Sequence, residues 1–364
     1  MKKNKKLLIG IGIVALLGIV AVGIYNNRQQ NDDNVIRIGA ILPLTGKYAD
    51  TGNSVVAGLD MAISSLNDGK TGAKIIVEYF DTKSEVKNAV LGYNKLKTMS
   101  NVNVFFTTLS DNSLALKASA IQGGDLLFCI ASHADITKDN NKHVFRPINT
   151  GDDEAHFLSR YIKNSDTRNK IYFYIFNTEA GLAVERIFKQ ELGDKIIGIN
   201  LYGDDYSTIR NVTTKATYKD ADCIVVVGYS PTMGIIVKYL REAGYANEII
   251  ANLGFNNAAT IKAAGGYAKG IWYNDYAFPY DSAEFRRRNM ISMEKYHSEF
   301  TALSYIAYSC VHILERVISE VGYNPIAIGD ILSNEKIYDV EGLKFTSHPD
   351  GSITSEYKML QIQE

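Results

Sequence analysis

The 364-residue chain is poor in cysteine, proline and tryptophan, with only three, six and one of these residues. Cys129, Cys223 and Cys310 are far apart, lie in apolar stretches and form no C-x-x-C pair. Such cysteines predict buried thiols that behave as small hydrophobic side chains, while one disulfide among the three stays open. The pattern provides neither a disulfide framework nor a zinc-binding motif.

Motifs for catalysis, nucleotide binding and nucleic-acid binding are also missing. The sequence has no G-x-S-x-G motif, no G-x-G-x-x-G after a strand and no metal-ligand spacing among its six histidines. The formal net charge is −1, with no basic stripe of the kind that binds phosphates. The acidic run Asp152–Glu154 is predicted to be the first turn of a helix. We therefore expect no enzyme activity, cofactor, metal or nucleic-acid partner.

The first 30 residues have the pattern of an export signal. Four lysines within Lys2–Lys6 precede an uncharged run from Leu7 to Tyr25. The small residues Ala21 and Gly23 fit cleavage near residue 24, but the run is also just long enough to remain as a membrane anchor. Residues 1–30 are thus predicted to be a signal peptide or an N-terminal membrane anchor. Both alternatives place the body outside the cytoplasm.

From residue 35 onward, short apolar runs alternate with segments of helical periodicity. The runs are rich in β-branched and aromatic residues: Val35–Leu42, Lys74–Tyr79, Val102–Thr107, Leu126–Ile130, Ile171–Phe176, Ile196–Leu201, Cys223–Val227 and Glu248–Ala251. Helical segments lie between them, such as Glu179–Leu192. Apolar strands separated by amphipathic helices predict parallel sheets. Because the pattern starts again after about residue 150, it predicts a two-lobed α/β protein, as the length also does.

The C-terminal third follows a different pattern. Asp281–Phe300 and Thr301–Glu320 are long helical stretches, and the second has an apolar stripe of the kind that faces a core. Asp339–Thr346 and Ser355–Ile362 then flank the turn residues Asp350-Gly351. This arrangement predicts a C-terminal β-hairpin with an Asp-Gly turn.

Seven segments occur in the order found in one family. They are Ile38–Gly46 with Thr51-Gly52, Val55–Asn67, Glu78–Thr82, Val144–Pro147, Gly228–Ser230 with Met233-Gly234, Arg241–Gly244, and Glu341–Phe345 with Asp350-Gly351. In these segments the chain resembles the type I periplasmic binding proteins of the leucine/isoleucine/valine-binding family. These are the substrate-binding components of branched-chain amino-acid ABC transporters. The resemblance covers about nine-tenths of the chain.

The resemblance implies an α/β fold of two Rossmann-like lobes with parallel-rich sheets, joined by a three-stranded hinge. The N-terminal lobe would comprise residues 35–149 and about 276–353, and the C-terminal lobe 150–275 and about 354–364. A small polar solute, such as an amino acid, would be bound between the lobes and passed to an ABC permease. A ligand-sensing module that reports to a receptor or regulator is the alternative function.

The resemblance also implies a set of ligand-binding residues. In the N-terminal lobe they are Thr51, Ser110, Asp111, Ser113, Ala131 and His133, and in the C-terminal lobe they are Tyr229 and Asn256. Ser110 and Ser113 would hold a carboxylate at a helix N-terminus. Asp111 would repel that carboxylate unless it caps the helix through the N–H of Ser113 or binds a cationic end in a reversed pose. His133 is either an anion donor or a plain loop residue.

The polar groups expected for an ordinary α-amino acid are incomplete. Tyr229 stands where the family places a tyrosine beside the ligand's ammonium, but the usual acidic partner falls on Leu253. The aromatic residue that the family often has in the second lobe falls on Ala180. An ammonium left without a partner in a buried site is costly, so Asp111 or Glu179 would have to serve it. The resemblance therefore favours a small polar solute over leucine itself.

Overall fold

A computed structural model describes residues 35–69, 74–203, 209, 216–229 and 231–363 of the chain. The predicted signal or anchor at residues 1–30 lies outside these ranges. Within them, no helix combines the length and the apolar character that a membrane crossing requires.

The first sheet has five parallel strands in the order β2-β1-β3-β4-β5. The strands are β1 (Val35–Leu42), β2 (Lys74–Asp81), β3 (Val104–Thr108), β4 (Leu126–Ile130) and β5 (Val144–Phe145). The helices between them are α1 (Ala49–Asp68), α2 (Val86–Ser100) and α3 (Ser110–Gly123). Every residue of β3 and β4 is buried, because helices cover both faces of the sheet.

The second half of the chain builds another parallel array, which lies in a separate sheet. Its strands are β6 (Ile171–Phe176), β7 (Ile196–Tyr202), β8 (Cys223–Val227), β9 (Glu248–Ala251) and β10 (Trp272–Tyr276). The accompanying helices are α4 (Gly151–Lys163), α5 (Glu179–Leu192), α6 (Thr232–Glu242) and α7 (Ala258–Ala264). Strands β6, β8 and β9 coincide with predicted apolar runs, and β7 extends its run by one residue. Strand β10 was not among the predicted runs.

The C-terminal third adds three helices, a separate small sheet of three strands and one strand of the second sheet. Helices α8 (Ala283–Tyr296), α9 (Ala302–Val321) and α10 (Pro325–Leu332) are followed by β11 (Lys336–Val340), β12 (Leu343–Ser347), β13 (Ile353–Ser355) and β14 (Tyr357–Gln361). The apolar stripe of α9 packs into the core of the first sheet, as its periodicity predicted. Strand β14 instead pairs antiparallel with β10, giving the second sheet the order β14-β10-β9-β8-β6-β7.

The prediction of a single C-terminal hairpin was wrong. The expected strand Asp339–Thr346 is interrupted by Glu341 and Gly342, which have φ values of 54° and 82° and connect β11 to β12. Two successive positive φ values form the tight turn that suits antiparallel strands. Asp350-Gly351 turns the chain between β12 and β13, and the last strand leaves for the second sheet.

Each of the two large sheets has an apolar cluster on both faces, so each forms a body with its own core. We call the body around the first sheet the first lobe and the other the second lobe. Cys129, Cys223 and Cys310 are buried and free, so no disulfide links them. Burial raises the pKa of the Cys129 thiol to about 12, which fits the inert role predicted for it.

The chain passes between the lobes three times, and hydrogen bonds join these crossings. The side-chain amide of Asn149 donates to the carbonyl oxygen of Ser355 at 2.9 Å, and its oxygen accepts from the Ser355 N–H at 2.9 Å. Both residues are buried. The N–H of Ala277 in the second crossing donates to the Glu356 carbonyl at 2.8 Å. The three crossings therefore lie side by side.

Candidate functional site

Loops at the carboxyl ends of strands from both lobes surround one cleft of about 540 Å³. In parallel α/β sheets this edge is where ligands bind. The lining residues follow β3, β4, β6 and β8 or begin the adjoining helices: Ser110, Ser132, His133, Ala134, Thr150, Gly151, Asp152, Phe176, Thr178, Glu179, Ala180, Gly181, Ala183, Val184, Val227, Gly228 and Tyr229.

The first-lobe wall begins with a strained turn between β3 and α3. Leu109 has a φ of 71°, which is uncommon for a residue with a side chain, and α3 begins at Ser110. The N–H and the hydroxyl of Ser113 both donate to the carbonyl oxygen of Leu109, at 3.0 and 2.9 Å. Of the alternatives for Asp111, capping of this helix through the Ser113 N–H is therefore not the one found. Asp111 is exposed beside the cleft.

The loop after β4 carries a histidine with a defined orientation. Nδ1 of His133 accepts a hydrogen bond from the N–H of Asp135 at 3.2 Å and so caps the short 3-10 turn Ala134–Ile136. Neutral imidazole that accepts at Nδ1 carries its proton at Nε2. The exposed ring therefore offers a donor at the cleft. Ala131, two residues earlier, is buried beneath this loop.

The second-lobe wall contains the N-termini of two capped helices. The Thr150 hydroxyl accepts from the N–H of Asp153 at 3.2 Å, and the Asp153 carboxylate accepts from the Thr150 N–H at 2.7 Å, which starts α4. At α5, the Thr178 hydroxyl accepts from the Gly181 N–H at 3.1 Å. Helix N-termini favour anions, but here Asp152 and Glu179 also line the cleft.

Tyr229 lies in the loop after β8, and the residue is 64% exposed. Its hydroxyl donates a hydrogen bond to the Glu154 carboxylate at 3.3 Å. Glu154 is 4% exposed and also accepts hydrogen bonds from the Asn252 amide, the Leu253 N–H and the Asn274 amide, at 3.1, 2.8 and 2.8 Å. Burial raises the pKa of Glu154, while these four donors act in the opposite direction.

Sequence reasoning missed the role of Glu154. The run Asp152–Glu154 was interpreted as a helical first turn, and Asp153 does cap its helix. Glu154 instead turns toward the sheet, where its donors are between 75 and 120 residues away in the chain. No local sequence pattern predicts such a cluster. The one available signal is that Glu154 lies one helical turn after the cap residue Thr150, where a carboxylate can face the protein interior instead of solvent.

The residues predicted to bind ligand do not all meet at the cleft. Ser110, His133 and Tyr229 line it. Asp111 and Ser113 in the first turn of α3, and Ala131 directly after β4, are outside its lining. Thr51 lines a different cavity of about 500 Å³ between α1 and α8. The side chain of Asn256 donates to the Asp275 carboxylate at 2.7 Å. The roles of all eight residues in binding stay predictions.

The described part of the chain contains no group of three or more histidine, cysteine or carboxylate side chains arranged to hold a metal ion. The cleft lining of described residues includes neither lysine nor arginine. The arrangement can therefore bind a small solute through helix N-termini, hydroxyl groups, an imidazole and carboxylates.

A model of the family described as "Periplasmic binding protein" matches residues 35–364. The chain belongs to this family. Its members are extracytoplasmic solute-binding proteins without enzymatic activity, and the type I architecture of two α/β lobes is the one found here. The resemblance identified from the sequence is thus confirmed, as is the fold class.

Two curated relatives have similar sequences. "Leu/Ile/Val-binding protein BraC3" of Rhizobium johnstonii is 23% identical over 333 residues, which are 88% of this chain and 89% of the relative. "Leu/Ile/Val-binding protein homolog 3" of Brucella melitensis is 23% identical over 283 residues, 75% of this chain and 73% of the relative.

Solved structures share the fold. The substrate-binding protein LivJ of Streptococcus pneumoniae, in complex with isoleucine, has a TM-score of 0.68 at 22% identity, covering 90% of this chain and 96% of that one. A putative branched-chain amino-acid ABC transporter protein of Rhodospirillum rubrum has a TM-score of 0.78 at 16% identity, covering 91% and 98%. A solute-binding protein of an ABC transporter from Rhodopseudomonas palustris, in complex with 3,4-dihydroxybenzoic acid, has a TM-score of 0.68 at 16% identity. The match covers 91% of this chain and 94% of that one.

Proposed function

We propose that this protein is the substrate-binding component of an ABC transporter and captures an amino acid or a related small polar solute between its lobes. The observation that carries the proposal is the composition of the cleft. It combines the N-terminus of α3 and the His133 donor in the first lobe, which suit a carboxylate, with Asp152 and Glu179 in the second lobe, which suit a cation. A ligand with both charges complements the two sets.

The chemistry assigns each end of the ligand to one lobe. The carboxylate faces the N-terminus of α3 and His133 in the first lobe, and the ammonium faces Tyr229, Asp152 and Glu179 in the second lobe. Asp111 does not line the cleft, so it is not needed for the cationic end. The names of the similar proteins favour branched-chain amino acids, while the dihydroxybenzoate complex shows that the shared fold accepts other small acids.

Closure by hinge motion follows from the same arrangement. The lobes would comprise residues 35–149 with about 276–353, and 150–275 with about 354–364. The separate apolar cores of the two sheets and the three adjacent crossings support this division. A ligand bonded to both lobes stabilises the closed form by its higher affinity for that form.

Export and delivery complete the proposal. The segment 7–25 would either be cleaved or keep the protein tethered to the outer face of the membrane, and a permease would receive the solute. Uptake of labelled solute in cells with and without the gene tests delivery. Uptake that is unchanged while binding is intact would favour the sensing alternative.

Calorimetric titration of the purified full-length protein tests the ligand class. The panel consists of the twenty L-amino acids, with the decarboxylated amine and the 2-oxo acid of each binder. We expect at least one amino acid to bind, and removal of either charged end to weaken binding about 10- to 100-fold, because each charged group loses hydrogen bonds. Binding of no amino acid would overturn the proposed ligand class.

A further inference from the structure

The strongest unexplained feature of the second lobe is the buried carboxylate of Glu154. Among the residues that the structure describes, its hydrogen-bond partners are uncharged: two amides, one backbone N–H and the Tyr229 phenol. Buried carboxylates are usually paired with a cation or a metal. Within the described ranges, the phenols of Tyr229, Tyr276 and Tyr357 are titratable groups that face Glu154 from the adjoining elements.

The direction of the Tyr229 hydrogen bond follows from a neighbouring amide. The N–H of Gly228 donates to Oδ1 of Asn252 at 3.0 Å, which fixes the amide so that its Nδ2 faces Oε2 of Glu154. Oε2 is therefore an acceptor, and the Tyr229 hydroxyl donates its single proton to the same oxygen. The phenol oxygen then presents only lone pairs to the cleft.

Gly254 and Gly151 leave room for this geometry. A Cβ on Gly254 would lie 3.1 Å from Cα of Tyr229 and 2.0 Å from the carbonyl oxygen of Gly228. A Cβ on Gly151, which lines the cleft, would lie 3.9 Å from the Tyr229 hydroxyl. The phenol oxygen is thus held above the first turn of α4, beside the space that a ligand would fill.

We infer that Glu154 is a positioning residue that sets the specificity of the cleft, by making Tyr229 an obligate acceptor for a hydrogen-bond-donating, cationic group of the ligand. The inference rests on the proposed function, since it requires a ligand that lies against Tyr229. It also explains how the cleft can bind an ammonium although Leu253, at the position of the family's usual acidic residue, has no charge. Glu154 supplies the negative charge from behind the tyrosine, without touching the ligand.

The coupling itself is tested in the ligand-free protein. With tyrosine labelled at ¹³Cζ, the Tyr229 resonance is assigned from its loss in Tyr229→Phe, and its position reports the hydrogen-bond state of the phenol. Glu154→Gln should shift this resonance, and Glu242→Gln, a matched change at the far end of α6, should leave it in place. An unshifted resonance in Glu154→Gln would overturn the inference whatever the ligand is.

The consequence for specificity is tested by calorimetry with L-leucine, L-isoleucine and their 2-oxo acids, or with the amino acid that binds best and its 2-oxo acid. Tyr229→Phe and Glu154→Gln should each weaken binding of the amino acid about 10- to 100-fold. The affinity for the oxo acid should stay within about threefold of the wild-type value. The double variant should lose no more amino-acid affinity than the more affected single variant, because Glu154 acts on the ligand only by way of Tyr229.

Each outcome has a defined meaning. Equal losses for both ligands, or additive losses in the double variant, would reduce Glu154 to a structural role and overturn the inference. If Glu154→Gln unfolds in urea at low concentration, Tyr229→Phe still tests the inference, because replacing this exposed residue leaves the other three hydrogen bonds of Glu154 intact. Equal losses for the amino acid and the oxo acid in Tyr229→Phe would then overturn it. A shifted Tyr229 resonance in a protein that binds no amino acid would reject the proposed ligand class and retain the coupling.

Discussion

Single polar residues at strand ends hold the loops of this protein in place, and Asp81 is the clearest case. At the end of β2 its carboxylate accepts hydrogen bonds from the N–H groups of Leu44, Thr45 and Lys83, at 3.0, 3.1 and 2.8 Å. It also accepts from the Thr45 hydroxyl at 2.6 Å. Burial acts to raise the pKa of Asp81, but these donors outweigh it and lower the pKa.

Asp81 should therefore make stability depend on pH in the acid range. A lowered native pKa means that its contribution is present above the unfolded pKa of about 3.9 and is lost as the pH falls through the native pKa. The difference in unfolding free energy between wild type and Asp81→Asn, measured by urea titration, should shrink as the pH falls below about 4. Thr45→Val, which removes one donor, should move this loss to higher pH. A pH-independent difference would contradict the assignment.

At the scale of elements, the close approach of two loops depends on a glycine. The turn Leu253–Phe255 passes so near the loop after β8 that a Cβ on Gly254 would overlap the Gly228 carbonyl. We expect Gly254→Ala to destabilise the protein by about 1–3 kcal/mol and to weaken ligand binding by displacing Tyr229. Thermal unfolding and calorimetry measure the two effects.

Gly266→Ala is the matched control, because a Cβ there meets nothing within 4 Å. It should change the unfolding free energy by less than about 0.5 kcal/mol. Equal effects of the two substitutions would mean that the turn and the loop are not closely packed.

The sequence predicted elements well where the signal was local. Runs such as Ile171–Phe176 coincide with strands, and Glu179–Leu192 is a helix with the predicted ends, because a Thr cap and apolar periodicity are encoded nearby. The pairing of the C-terminal strands was mispredicted, since β14 pairs with a strand about 85 residues earlier and only the tertiary fold selects that partner. The Glu154 cluster was missed for the same reason.

The predicted site shows the same limit. Ser110, His133 and Tyr229 follow strands and reach the cleft, as expected for residues at the carboxyl edge of a parallel sheet. Thr51 and Asn256 were predicted from the same resemblance, and the structure places them at other contacts. Resemblance locates a loop more reliably than it assigns the contacts of a side chain.

At the scale of the whole molecule, the crossings between the lobes must bend without coming apart. Asn149→Ala would leave the buried N–H and carbonyl groups of Ser355 without their side-chain partner. We expect a loss of about 1–3 kcal/mol in unfolding free energy, measured in urea. Asn334→Ala, which removes an exposed hydrogen bond to the Asp330 carbonyl, should cost less than about 0.5 kcal/mol. Similar costs for both would show that the Asn149 pair does not join the crossings.

The central claim is that ligand brings two separate lobes together. Spin labels on Lys138→Cys in the first lobe and Arg186→Cys in the second measure the distance across the cleft by pulsed electron resonance. Both positions are exposed, and the three native thiols are buried and therefore protected from labelling. With a saturating amino acid, for which calorimetry has shown binding, the distance distribution should shift to one shorter and narrower peak. A distribution that does not change on binding would contradict closure and, with it, this account of the protein.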